Sequence, residues 1–267
     1  MVIKRKILII IVVCFIIATS IVTVKFLGNF YLERLSQTDN QYVAPTTQKI
    51  MVLRLEPYSF HTIQLGIFPE KNQANEIKKK LIGIGLYPYI TKSAPYKVWL
   101  GCFSEIEKGE DLVKYLTTKG FEAFIGKGLV NDRALKFPSE NIFMKEKYSP
   151  FIGKYNLIIS HSLKMFKSTK YEDYDAETWQ DMISKIQLEI DEVAKETDEI
   201  LAIDESADFR DNLKIIRQTT NNYSQALNQL KEDSQDKKVL YCQGYLLELI
   251  ASYHSLITES NSKLGIN

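Results

Sequence analysis

Four side chains stand out by type and spacing. Thr62 and Gln64 alternate with Ile63 and Leu65, and Lys97 and Trp99 alternate with Val98 and Leu100. Period-two alternation puts each set on one face of a half-buried strand. An indole beside an amide and an ammonium makes a carbohydrate platform. The ring stacks on the apolar face of a sugar, Gln64 donates and accepts to hydroxyl or N-acetyl groups, and Lys97 pairs with a carboxylate. The same residues also allow a plainer arrangement, in which Trp99 packs under a neighbouring loop or the C-terminal half and Lys97 is solvated. Catalytic patterns are missing. His61, His161 and His254 have no partner at metal or triad spacing, and no GxSxG, HExxH, P-loop or GxGxxG motif occurs. Glu105 and Glu107 suit a helix start better than a glycosidase pair, and Lys78, Lys79 and Lys80 read as a solvated helix face. The expectation is a binding protein, not an enzyme, with no cofactor and no metal.

The elements that position these residues form an internal repeat. Gly66 and Gly101, Phe68 and Phe103, Leu81 and Leu116, Gly85 and Gly120, and Ile90 and Ile125 are each 35 residues apart without a gap. A fixed period marks a repeated supersecondary unit, and two copies make one compact fold. Each unit reads strand–helix–strand. Ala74, Ile77 and Leu81, then Leu112, Tyr115 and Leu116, recur at helical spacing, and Gly85 and Gly120 stand where glycine stops a helix. The sum is an α+β, ferredoxin-like βαββαβ arrangement. Its two first strands are central and its helices cover Ile63, Leu65, Val98 and Leu100. The opposite sheet face, with Thr62, Gln64, Lys97 and Trp99, is expected to be open.

Residues 58–127 resemble the SPOR domain, the sporulation-related repeat of bacterial division and wall proteins. The matching pieces are Ile63-Gln64-Leu65-Gly66-Ile67-Phe68, Asn72-Gln73-Ala74, Leu81 and Gly85, Tyr96-Lys97-Val98-Trp99-Leu100-Gly101-Cys102-Phe103, and Gly120-Phe121-Glu122-Ala123-Phe124-Ile125. The resemblance implies binding of peptidoglycan glycan strands stripped of their stem peptides, through the open sheet face. It carries the family's first-strand glutamine onto Gln64 and its third-strand basic position onto Lys97. Ile67 departs from the small polar residue often found there, which bears on ligand preference. The implied glycan-binding set is Thr62, Gln64, Ile67, Lys97 and Trp99, with the stacking role of Trp99 inferred from its chemistry alone.

Outside the repeat, Lys4, Arg5 and Lys6 precede an apolar run at 7–27. At about 1.5 Å per residue this run spans a bilayer as a helix. The leading charges place residues 1–6 in the cytoplasm and the bulk of the chain outside, in single-pass topology. A competing reading is a cleaved signal peptide ending near Ala18-Thr19-Ser20. Residues 28–57 read as an extracytoplasmic linker and 128–152 as an irregular connector. Residues 153–267 read as an antiparallel helical bundle. In it Trp179, Ile183, Ile186, Ile190, Val193, Thr197 and Ile200, then Phe209, Leu213, Ile216, Thr220, Tyr223, Leu227 and Leu230, step by three and four. Gln243 interrupts a third seam, and Thr197, Thr220 and Gln243 suggest a polar layer.

Charge separates the halves: 10 basic against 7 acidic residues in 58–127, but 13 against 20 in 150–267. The whole chain, with 34 Lys+Arg and 33 Asp+Glu, lacks the basic footprint of a nucleic-acid binder. Cys102 and Cys242 read as lone buried thiols, with a disulfide between them as the alternative. Two functions follow. One is a membrane-anchored, non-catalytic wall binder at sites of division or sporulation. The other is a scaffold whose bundle recruits a protein partner.

Overall fold

The structure, a computed structural model, describes residues 49–130, 133–232 and 235–264. The repeat builds an antiparallel sheet from strands β2 (Tyr58–Phe68), β3 (Tyr89–Ile90), β4 (Tyr96–Phe103) and β5 (Phe124–Val130), in the order β3-β4-β2-β5. Helices α1 (Lys71–Gly83) and α2 (Glu110–Thr118), the second entered through a 3-10 turn at Ile106–Gly109, pack on one face. There Ile63, Leu65, Val98 and Leu100 form a core with Ala74, Leu81, Phe103 and Leu116.

Both helices end in the same way. The Leu86 N–H donates to Leu81 O at 3.0 Å and the Phe121 N–H to Leu116 O at 3.1 Å. In each case the bond spans a glycine, Gly85 or Gly120, at φ +81°, a conformation that L side chains resist. Gln64 and Trp99 hold equivalent positions in the two units and pair with each other across β2 and β4. The local two-fold axis relating the units therefore passes between them.

Four helices follow: α3 (Ser149–Met165), α4 (Ala176–Leu201), α5 (Arg210–Glu232) and α6 (Asp236–Lys263). Cross-helix bonds fix their antiparallel register. Lys154 meets Glu196 and His161 meets Glu189. The Asp198 carboxylate accepts from Arg217, and Asn212 donates to Glu259. The seam positions of α4 and α5 are buried. The Tyr155 hydroxyl bonds with Thr197 at 3.2 Å and Thr220 at 2.9 Å. Gln243 lies elsewhere and takes no part in that layer.

The architecture expected from sequence is corrected in three respects. First, the second sheet face is not open and the bundle is not separate. Helix α6 lies over the sheet, and Phe60, Tyr89 and Cys102 share one core with the bundle residues Trp179, Leu213 and Leu246. Second, part of the expected linker and part of the expected connector pair with each other. Strand β1 (Ile50–Leu55) forms an antiparallel ribbon with β6 (Arg133–Pro138). Leu55, Leu135 and Phe137 are buried in it, and the Asn261 amide grips β6 by accepting the Lys136 N–H and donating to Ala134 O. The connector also contains a π-helical turn, Met144–Tyr148, that runs into α3. Third, among the described residues no helix is long and apolar enough to cross a membrane. The expected cytoplasmic tail at 1–6, the apolar run at 7–27 and most of the 28–57 linker lie outside the described residues.

Buried phenols give this packing an alkaline signature. Burial raises the pKa of Tyr87, Tyr89, Tyr148, Tyr155, Tyr174 and Tyr223. The bond with Tyr245, helped by burial, pushes Tyr241 to about 12. Their folded pKa values exceed the usual 10, so the unfolded chain loses protons first. Stability is full below pH 10 and falls as pH rises beyond it. In an alkaline titration these tyrosines are expected to ionise only as the helical circular-dichroism signal collapses. Complete tyrosinate absorbance with the helix signal intact would contradict the packing.

Candidate functional site

The five residues expected to form an open glycan platform are divided by α6. Thr62 and Gln64 are 1% and 7% exposed. Trp99 is half-buried, packs against the main core and donates its indole N–H to Gln64 Oε1 at 3.2 Å. It meets Phe60 edge-on at 6.2 Å and leans on Tyr89 at 6.3 Å. Trp99 thus packs beneath the C-terminal half, the plainer of the two arrangements. Lys97 is half-buried, and Ile67, its partner across β2 and β4, is 54% exposed. Beside Gln64 on β5, Phe124 is 52% exposed. Tyr89, Trp99, Gln64 and Phe124 therefore make one row across all four strands. The row is accessible at its β5 end and roofed at its β3 end.

The close approach of α6 has a local cause. Gly101 adopts φ +71°, and the β2–β4 register shifts beside it, between His61 and Ile63. Such a bulge takes a backbone donor out of the ladder. The donor here is the Cys102 N–H, and the fully buried Gln243 supplies the acceptor. Its Oε1 accepts from Cys102 at 3.2 Å and its Nε2 donates to Ser168 O at 2.8 Å. A Cβ on Gly101 would stand 2.7 Å from Gln243 Oε1, and one on Gly244 would stand 2.9 Å from the Tyr87 carbonyl oxygen. Two glycines and one amide thus lock helix to sheet. Cys102 and Cys242 are free, buried thiols. Burial raises both pKa values, so both are neutral.

Beyond Gly244 a cleft of about 410 Å³ lies between α6 and the sheet, within the usual size range of small-ligand sites. Phe60, Tyr89 and Trp99 form its floor. Leu247, Ile250, Ala251, His254, Ser255 and Thr258, one helical stripe of α6, form the facing wall. Lys92, Ser93 and Glu259 complete the rim. The Lys92 ammonium donates to Ser255 Oγ at 3.1 Å. Burial lowers its pKa, with the Glu259 charge opposing. Chemically the cleft offers three aromatic surfaces, several hydroxyls, one cation and one anion. Among the described residues no group of three or more His, Cys, Asp or Glu could hold a metal ion.

Phe60, Tyr89 and Lys92 carry no sequence signal of a site, and neither does the α6 stripe, whose His254 stands at no catalytic spacing. A signal for the placement of α6 exists. Leu240, Leu246, Leu247, Leu249, Ile250 and Leu256 cover more than half of the helix circumference, and so wide an apolar arc suits a helix packed between two layers. No protein-family model matches the chain, and neither a curated protein nor a solved structure matches it.

Proposed function

We propose that this chain is a non-catalytic glycan-binding protein, held at the outer face of the cytoplasmic membrane by the apolar run at 7–27. In this reading the cleft between the sheet and α6 takes the end or a short stretch of a cell-wall glycan freed of its peptides. One observation carries the reading: Trp99 forms part of the floor of a sugar-sized cleft whose rim is hydroxyls and opposed charges. Aromatic faces bind the apolar face of a sugar ring, and polar rims bind its hydroxyls. The family resemblance of residues 58–127 supports the ligand class. It does not support an extended strand laid across the sheet, because α6 occupies that path.

The test uses fluorescence. The chain has two tryptophans, and Trp179 is fully buried in the bundle. In a Trp179→Phe background Trp99 alone reports. Titration with oligosaccharides from amidase-treated sacculi is expected to give a saturable shift. Trp99→Ala, and Ala251→Trp to fill the cleft, should each weaken binding measured by calorimetry at least about tenfold, or about 1.4 kcal/mol. Absence of binding, or binding indifferent to both substitutions, overturns the reading.

A further inference from the structure

Tyr89 and Lys92 also border a second cleft, of about 340 Å³, on the other side of β3. Lys71, Asn75 and Lys78, spaced by four and three on α1, line one wall, and α5 and α6 supply the opposite wall through Thr219, Glu248 and Ser252. Three ammonium groups thus face one carboxylate. That carboxylate, Glu248, already accepts from the Tyr87 hydroxyl at 3.1 Å. Among the described residues the ion pairs involve none of the three lysines. Lys78 lies 5.1 Å over the Tyr87 ring, and Lys92 is held by the Ser255 hydroxyl. Like charges converging on one cleft sum to a positive potential there. Asn75, Thr219 and Ser252 add neutral donors suited to anionic oxygens. The two clefts share Tyr89 and Lys92, and Tyr89 leans on Trp99, so Lys92 stands between the aromatic floor and the cationic wall.

We propose that the glycan held by the aromatic cleft is anionic, and that its acidic substituent reaches past Lys92 into the cleft lined by Lys71 and Lys78. The inference rests on the glycan reading of the aromatic cleft and names the class of sugar that fits. The shared chemistry is an anionic oxygen group, which a sugar carboxylate or a phosphodiester can supply.

Calorimetry on the full chain in detergent tests it with three probes: a neutral N-acetylglucosamine oligomer, an oligouronate and an oligo(glycerol phosphate). Both anionic classes fit the charge, and the tighter of the two names the acidic group. At low salt the preferred anionic probe should bind at least about tenfold tighter than the neutral one. The preference should shrink toward unity near 1 M salt, where the screening length is about 3 Å. The double variant Lys71→Gln/Lys78→Gln should remove most of that preference and leave neutral binding unchanged. Equal affinity for all probes, or an unaltered preference in the double variant, overturns the inference. If Trp99→Ala abolishes neutral binding while the lysine variant is silent, the inference fails and the glycan reading stands. If the lysine variant weakens anion binding while Trp99→Ala has no effect on any probe, the glycan reading fails and this inference falls with it.

Discussion

Replacing Gln243 by leucine should lower the free energy of unfolding by about 2 kcal/mol, since a buried backbone group left without a partner costs about 1–3 kcal/mol. The substitution orphans the Cys102 N–H and removes one of two donors from the Ser168 carbonyl, which keeps the Tyr174 hydroxyl at 2.8 Å. Leucine fills the space but offers neither an acceptor nor a donor. Water has no easy route in, because Gln243 is fully buried. Urea denaturation measures the loss, and native-state hydrogen exchange locates it. The Cys102 amide should exchange faster in the variant than its neighbours in β4. A loss under about 1 kcal/mol, with Cys102 exchange unchanged, would mean that the bulge is satisfied in some other way. Gly101→Ala should act on the same joint from the other side. It puts a methyl group against Gln243 Oε1 at a left-handed backbone position.

The second large effect is expected at Trp179. Its indole is fully buried, lies 3.9 Å from the Tyr174 ring and meets Phe166 edge-on at 5.8 Å. Trp179→Ala should cost about 4 kcal/mol, the usual range for an aromatic deleted from a tight core. Trp179→Phe should cost less, about 2 kcal/mol, because the phenyl ring refills most but not all of the indole's space. The phenylalanine variant also removes an indole N–H that is buried without a hydrogen-bond partner, a relief that offsets part of the lost volume. Chemical denaturation of both variants measures the pair. A phenylalanine variant as unstable as the alanine one would show that the indole N–H has a partner.

These effects mark the boundary of what the sequence makes legible. The glycine pairs at a spacing of 35 are readable because they answer local backbone demands, which need no knowledge of distant contacts. The seams of α4 and α5 are readable for a similar reason: each helix has one apolar stripe and a charged remainder. Alternation puts Thr62, Gln64 and Trp99 on one sheet face, and α6 covers part of that face. Alternation along a strand reports which residues share a side and says nothing of what lies above it. The missing information sits about 140 residues away, in an amide on α6 that completes the hydrogen bonding of Cys102. Gln243 is legible as an interruption of a seam, yet its purpose depends on a bulge in another element. Strand β1 is hard to read in the sequence for a simpler reason. Met51, Leu53 and Leu55 alternate, but they directly follow a polar stretch and are too few to stand out from it.

The order of the elements along the chain has a consequence for how the protein comes into being. Helix α6 is the last described element, and it supplies a wall of the aromatic cleft, the acceptor for Cys102 and the clamp on β6. A chain emerging from its N-terminus completes the sheet long before its cover exists. Until residue 261 has been released, Trp99, Tyr89 and Cys102 face solvent or a caretaker. Long-range closures of this kind slow folding and leave sticky intermediates. Premature termination ahead of α6 should therefore yield a species that clumps, rather than a smaller version of the same protein.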